Sequence, residues 1–181
     1  MWTWIKRIGG LLALAVVVVV GLALTKADTF AVERRISIKA APDAIYPLLA
    51  DFQQFGKWSP WEHLDPAMTR SFSGPASGEG SVYVWKGNSE VGEGRMEIKR
   101  AEPPTKVLIK LDFIEPFASQ NMAEYTLSPK GAETEMVWRM TGPMPFVSKV
   151  MSVFVSMDAM IGPDFERGLA KLKTVVEAGA K

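Results

Sequence analysis

The stretch FVSKVMSVFVSMDAMIGPDFERGLAKLKTVVE, residues 146–177, decides the fold of this chain. Large apolar residues recur at spacings of three and four in its second half, which predicts a helix with one buried face. We interpret the stretch as two helices, or as one helix kinked at Gly162-Pro163, because proline inside a helix removes a backbone hydrogen bond. Its first half, residues 146–160, is rich in methionine, which suits an adaptable pocket wall as well as ordinary core filling.

A helix this long and apolar needs a sheet to cover it, and the middle of the chain supplies one. Residues 30–40 alternate apolar and polar side chains, the pattern of a strand with one buried face. Two short helical elements follow, and we expect the first to be short or irregular because Pro47 lies within it. Short turns between the later segments favour an antiparallel meander. The strands are predicted at residues 30–40, 68–72, 81–86, 91–100, 106–113, 121–127 and 134–141.

The composition excludes several classes of protein and site. The chain has no cysteine, so disulfides, thiolate zinc sites and cysteine nucleophiles are all excluded. After residue 27 it carries 18 basic and 20 acidic residues. Nucleic-acid binding needs a basic patch, so this balance argues against a nucleic-acid partner.

The N-terminal segment has the length and composition of a membrane span. Residues 8–25 carry no charge, and as a helix they would extend about 27 Å, close to the thickness of a hydrocarbon core. Lys6 and Arg7 precede this run, and Trp2 and Trp4 are placed for the headgroup region. We therefore predict a transmembrane helix rather than a buried core helix.

Two fates of this segment remain open. It is either a retained signal anchor or a signal peptide cleaved after Ala27, and we favour the anchor because Lys26 fits a cleavage site poorly. The expected division is an anchor at residues 1–27 and a folded domain at residues 28–181. The positive-inside rule then places the N-terminus in the cytoplasm and the domain outside it, in the periplasm if the source is a bacterium.

Two motifs in the first third of the domain carry a family resemblance: ISIKAAPDAIYPLLADF at residues 36–52 and WSPW at residues 58–61. They resemble the polyketide cyclase/dehydrase group of the START-like superfamily, also called Bet v 1-like or SRPBCC, and the resemblance covers about residues 28–178. It implies an α+β helix-grip fold, in which a curved antiparallel sheet of about six to seven strands wraps a long C-terminal helix around a hydrophobic cavity. Members bind lipids, sterols or polyketides, or have no known ligand, so the resemblance specifies the fold better than the function.

The expected ligand site combines loop tryptophans with the inward-facing residues of the strands and the C-terminal helix. Trp58 and Trp61 either cap the mouth of a cavity and stack on a flat ligand, or close the core beneath the short helices. The predicted ligand-binding residues are Trp58, Trp61, Tyr83, Trp85, Met96, Ile98, Leu111, Phe113, Tyr125, Trp138, Met140, Met151, Phe154, Met157 and Phe165.

Polar candidates for chemistry are few. His63 is the only histidine and has no orienting partner by spacing, so we expect it to be exposed or to stabilise its loop rather than act as a base. A lone histidine also argues against a metal site, and we expect no cofactor. Arg95, Glu97, Glu124 and Arg139 fall opposite the apolar positions of their strands, so we expect them to pair on the outer face of the sheet.

Three functions fit this pattern. The favoured one is a membrane-anchored binding protein for a hydrophobic small molecule or lipid, held near the bilayer where such ligands dissolve. A cyclase or dehydratase acting on a polyketide-like substrate is the first alternative, and it needs polar groups converging inside the cavity, where the pattern places apolar ones. A non-catalytic interaction module with a filled cavity is the second. The sequence identifies no protein partner.

Overall fold

The computed structural model describes residues 2–179. The expected interfacial role of Trp2 and the charge of Lys6 concern side chains that lie outside this description. A 3₁₀ helix (Phe52–Lys57) lies between the second helix and the second strand. The other elements are α1 (Trp2–Leu24), β1 (Thr29–Ile38), α2 (Pro42–Ala50), β2 (Thr69–Ser73), β3 (Val82–Lys86), β4 (Glu93–Glu102), β5 (Lys106–Glu115), β6 (Ser119–Lys130), β7 (Glu133–Pro143), α3 (Phe146–Met151) and α4 (Met157–Gly179).

The strands form one antiparallel sheet in the order β1-β7-β6-β5-β4-β3-β2. Strands β2 to β7 form the predicted meander, and β1 closes it by pairing with β7. This curved sheet, the short helices after β1 and the long C-terminal helix confirm the α+β helix-grip fold. The predicted parity is confirmed as well, since Tyr125, Leu127, Trp138 and Met140 are all buried.

α4 covers the buried face of the sheet and contacts β1 and the 3₁₀ helix. Its inward stripe is Phe165, Leu169, Leu172 and Val176, each no more than 5% exposed. Burying one side chain of this size stabilises a fold by about 1.5–3 kcal/mol. The stripe is therefore the main apolar contribution of the C-terminal region to the core.

Polar contacts fix α4 along β1. Arg34 of β1 donates hydrogen bonds to Asp158 at 2.7 Å and to Glu166 at 2.6 Å, both on α4. Near the other end, the backbone N–H of Lys39 donates to the Glu177 carboxylate at 2.8 Å. The Arg34 side chain lies on the inward-facing side of β1. Its ion pairs with Asp158 and Glu166 compensate the positive charge at this partly buried position.

The stretch forms two helices, as the first of the two expected readings had it, but they are separated at residues 152–156 and not at Gly162-Pro163. Pro163 lies inside α4. The break follows from capping: the Ser156 hydroxyl accepts a hydrogen bond from the backbone N–H of Ala159 at 3.1 Å, which satisfies a free donor at the start of α4. The helical pattern therefore divides at a capping serine and not at the proline.

The outer face of the sheet carries the charged pairs that the alternation predicts. Arg95 lies 2.9 Å from Glu97, and Lys106 lies 2.7 Å from Glu124. Arg139 is exposed on β7 and faces Glu124 in the strand register. These side chains are surface groups and do not enter the core.

α1 is long and apolar enough, over Arg7–Leu24, to cross a membrane. Its described side chains are exposed almost throughout, and Ala23 is the one that is buried. A core helix would be covered by the domain, so the structure excludes that reading. A helix that is apolar on every side and uncovered is typical of a membrane span or a signal sequence.

Candidate functional site

An aromatic cluster fills the centre of the space between the sheet and α4. Trp138 of β7 stacks on Phe165 of α4, with ring centroids 4.0 Å apart and planes inclined by 10°. Three further rings meet Trp138 edge-on, namely Trp58 at 5.6 Å, Trp61 at 5.7 Å and Tyr125 at 5.4 Å. Aromatic pairs in such geometries stabilise by about 0.5–1.5 kcal/mol beyond their burial. Trp138 is therefore the hub of the interior.

The two loop tryptophans have different roles. Trp58 is fully buried, and its indole N–H donates to the carbonyl oxygen of Leu48 in α2 at 2.9 Å. It closes the core beneath the short helices, as the second reading of the WSPW motif expected. Trp61 is half-buried and packs edge-on against both Trp138 and Phe165. Trp61 is therefore the tryptophan that lies between the cluster and solvent.

The loop, the sheet and α4 meet closely at Gly168. A Cβ atom placed there would lie 3.0 Å from Cδ of Pro60 and 3.0 Å from Cζ3 of Trp138. That separation is shorter than ordinary van der Waals contact, so glycine permits the approach of α4 to the loop. The WSPW loop is thereby held between the sheet and the helix.

The indole N–H of Trp138 has no hydrogen-bond acceptor among the described residues, although the side chain is only 3% exposed. An unpaired buried donor costs about 1–3 kcal/mol. Its surroundings are aromatic, and the neighbouring indole of Trp58 donates elsewhere. A ligand bound in the interior could accept a hydrogen bond from this N–H.

Two cavities of the described residues lie outside this interior. One, of about 450 Å³, is a groove on the outer face of β1, β7 and β6, lined by residues that include Phe30, Met122 and Arg139. The other, of about 220 Å³, lies between the 3₁₀ helix and the β2–β3 hairpin. Neither lies between the sheet and α4, where the rings of the aromatic cluster are packed together.

The structure brings together thirteen of the fifteen predicted ligand-binding residues. Nine are buried in the core: Trp58, Tyr83, Trp85, Ile98, Leu111, Tyr125, Trp138, Met140 and Phe165. Four are half-buried and pack against it: Trp61, Met96, Phe113 and Met157. Met151 and Phe154 are instead 51% and 73% exposed. The break before α4 separates these two from the interior.

The sequence pattern gave no sign of a buried polar cluster in the loop after the WSPW motif. The Glu62 carboxylate is 9% exposed and accepts hydrogen bonds from the Tyr83 hydroxyl at 2.6 Å and from Arg70 Nε at 2.7 Å. Burial first, and then the Glu62 carboxylate, raises the pKa of Tyr83 above its ordinary value. The hydrogen bond from Arg70 to Glu62 raises the pKa of Arg70. These groups engage one another and fix the loop on β2 and β3.

Asp65 and His63 also stabilise the conformation of the loop that follows the WSPW motif. Asp65 is 7% exposed and accepts hydrogen bonds from the backbone N–H groups of Ala67 at 2.9 Å and Asn88 at 2.7 Å, which ties the loop to the β3–β4 turn. His63 is exposed, with its Nε2 atom 2.9 Å from the carbonyl oxygen of Gly56. Within residues 2–179, no three His, Asp or Glu side chains group as metal ligands.

The comparisons with known proteins agree with this architecture. The sequence profile of one family, described as polyketide cyclase / dehydrase and lipid transport, matches residues 29–177. This match supports a hydrophobic ligand-binding or cyclase-like role. A search of curated protein sequences returns no significant match.

Several solved structures share the fold. The di-domain ARO/CYC protein StfQ from the steffimycin biosynthetic pathway superposes with a TM-score of 0.63 at 13% identity, over 84% of this chain and 52% of that one. Protein SA2116 from Staphylococcus aureus gives 0.60 at 16% identity, over 86% and 99%. Protein CV1439 from Chromobacterium violaceum gives 0.56 at 14% identity, over 83% and 97%. At these identities the likeness shows the fold alone.

Proposed function

Since this chain belongs to the polyketide cyclase / dehydrase and lipid transport family, we propose that it is a membrane-anchored binding protein for a hydrophobic small molecule or lipid. The ligand is taken up between the sheet and α4. The aromatic and methionine residues that meet there form its apolar surroundings. α1 holds the domain beside the bilayer, where such ligands dissolve.

One observation carries this proposal, the unpaired indole N–H of Trp138. An interior built only for stability would gain from an acceptor for this donor or from a side chain without one. A ligand with a hydroxyl or carbonyl group on an otherwise apolar body would accept this hydrogen bond while its body packs on Phe165 and Tyr125. The chemistry favours an apolar molecule with one polar oxygen over a plain hydrocarbon.

Access to the interior requires movement of the aromatic side chains, because they fill it. Trp61 is the half-buried ring against Trp138 and Phe165, so displacing it would uncover both of these rings. A ligand ring in its place would keep the edge-on contacts that Trp61 makes. We therefore assign Trp61 as the gate of the site.

Changing Trp138→Phe tests the hydrogen bond directly. Phenylalanine keeps an aromatic ring but deletes the donor, so affinity for 2-naphthol should fall about tenfold, as one hydrogen bond of about 1–1.5 kcal/mol predicts. Affinity for naphthalene, which has no acceptor oxygen, should change little. Equilibrium dialysis of the detergent-solubilised full chain against each compound measures both values. An equal change for the two compounds, or no binding of either by the unchanged chain, contradicts the proposal.

Anchoring is tested by fractionation of the expressing cell. We expect the chain to remain in the membrane pellet after alkaline carbonate washing, since an uncharged helix of this length inserts stably. A matched chain with Val17→Arg and Val18→Arg should move to the soluble fraction. Intact-mass measurement of the mature protein decides between an anchor and a cleaved segment, because cleavage after Ala27 would remove residues 1–27 and refute the anchor.

One observation favours a second function, an interaction module with a filled interior. Neither of the two cavities described above lies between the sheet and α4, and stacked rings lie in that space. Native mass spectrometry of the full chain released from membranes separates the two functions. A bound apolar mass supports the binding protein, and a chain that stays empty across a panel of lipids and aromatic alcohols supports the interaction module.

A further inference from the structure

The segment between β7 and α4 exposes a run of apolar side chains to its surroundings. We call it the apolar ridge, and its members are between 49% and 73% exposed: Phe146, Val147, Met151, Phe154 and Val155. Isolated exposed apolar residues are ordinary, but a contiguous group marks a surface that is covered in the working protein. The ridge therefore needs a partner.

Contacts within the chain place the ridge beside the end of α1. α3 contacts α1 directly. Lys149 of α3 lies 2.5 Å from the carboxylate of Asp28, and the backbone N–H of Met144 donates to the Asp28 carbonyl oxygen at 2.7 Å. The Lys149 side chain is only 13% exposed and is paired, so the one charge of α3 is withdrawn from the surface. What remains exposed on α3 is largely apolar and adjoins a helix that is itself apolar on every side.

A second exposed apolar group lies at the same edge of the sheet. β1 starts at Thr29, which pairs with Pro143 at the end of β7. In an antiparallel meander, β5 ends and β6 begins at this edge too. Ile114, the second-last residue of β5, and Phe117, in the turn between the two strands, are 49% and 76% exposed.

The distribution of exposed apolar residues is one-sided. Residues 25–179 contain ten exposed large apolar side chains, and seven of them belong to the ridge, to the end of β5 or to the β5–β6 turn. The opposite edge, where the β6–β7 turn lies, presents Lys130, Gly131 and Ala132 instead. A soluble partner could cover any face of the domain, whereas a bilayer must cover the edge from which a spanning helix leaves.

We propose that the apolar ridge and the β5–β6 turn insert into the lipid interface around α1. The domain then docks edge-on, which here means with the end of the sheet that carries these residues facing the bilayer. This inference rests on the proposed anchoring of α1. The partner is the lipid surface itself, contacted through side chains of Phe, Val, Met and Ile rather than through charge. Amphipathic segments of this kind settle in the boundary between headgroups and acyl chains.

The absence of cysteine from the chain allows a direct test by site-specific labelling. Phe154→Cys in the ridge, Phe117→Cys in the turn and Ala132→Cys at the opposite edge each carry one environment-sensitive NBD fluorophore. All three positions are exposed, so the substitutions leave the core intact, and circular dichroism checks this. Each full-length variant is reconstituted into phosphatidylcholine vesicles and collected by flotation.

Labels at 154 and 117 should be quenched by nitroxide-bearing lipid, and they should react with aqueous dithionite at least about fivefold more slowly than the label at 132. The reason is that an interfacial segment is buried about 5–10 Å into the boundary between headgroups and acyl chains. Quenching by the lipid nitroxide excludes shielding by α1 alone.

Three outcomes overturn the proposal in distinguishable ways. If the chain floats with the vesicles but all three labels react equally fast with dithionite, the docking is refuted and the proposed anchoring is not. Shielding at 154 without shielding at 117 refutes edge-on docking and leaves contact through the ridge alone. A chain that does not float with the vesicles refutes both the docking and the proposed anchoring.

Discussion

Replacing Trp138 by alanine is expected to reduce the free energy of unfolding by about 3–5 kcal/mol, the range for removing a buried tryptophan. Its ring stacks on Phe165 and meets Trp58, Trp61 and Tyr125, so the vacated volume borders four other rings. These rings belong to α4, β6 and the loop, and no single shift of the backbone would refill the space. The loss is therefore expected near the upper part of that range.

Urea denaturation of the full chain in mild detergent, followed by circular dichroism, measures this loss. Phe117→Ala is the matched control, because it also removes an aromatic ring but from a side chain that is 76% exposed. It should change the free energy of unfolding by no more than about 0.5 kcal/mol. Equal losses in the two variants would show that Trp138 is not the hub of the interior.

Replacing Gly94 by alanine is expected to cost about 1–3 kcal/mol, or more, by overpacking. A Cβ atom at Gly94 of β4 would overlap the indole ring of Trp85 and lie 2.8 Å from the carbonyl oxygen of Asp112 on β5. The first obstacle is a buried ring and the second is backbone, so neither yields easily. The indole ring of Trp85 can pack against β4 here because its partner in the strand register, Gly94, has no side chain.

Gly56→Ala is the matched control for this prediction, since nothing lies within 4 Å of the Cβ it would add. It should change stability little. The double variant Gly94→Ala with Trp85→Leu should lose less than the sum of the two single changes, because the smaller side chain vacates the space the new methyl group needs. Strict additivity in this cycle would contradict the proposed clash.

The fold could be predicted from the sequence because its signals are local. Strict alternation in β5 to β7 fixes which side chains turn inward, and Tyr125, Leu127, Trp138 and Met140 are indeed buried. The motifs at residues 36–52 and 58–61 added the family and hence the connectivity of the sheet. Strand ends were less certain, as β6 shows by extending to Lys130, because alternation fades where a hairpin leaves the core.

The interior of the site could not be predicted, because its volume depends on contacts between distant elements. Periodicity shows that Trp61, Trp138 and Phe165 turn inward, but not that their rings meet and fill the space between sheet and helix. Met151 and Phe154 were expected there for the same reason, and an apolar side chain does not reveal which surface covers it. The unusual position of Arg34 could be recognised in the sequence, since it is a charged residue among the inward-facing residues of β1. Its partners on α4 could not be recognised.

The connection between α1 and β1 limits what a protein of this design can do. Four residues, 25–28, join the end of the span to the first strand, and fully extended they reach at most about 14 Å. Asp28 is also held by Lys149 and Met144, which shortens the reach further. A carrier that crosses an aqueous gap between two membranes needs a long tether. If α1 spans a bilayer and the domain carries a ligand as proposed, it can exchange that ligand only with the adjacent leaflet. Delivery to another membrane would then require that membrane to come within this short reach.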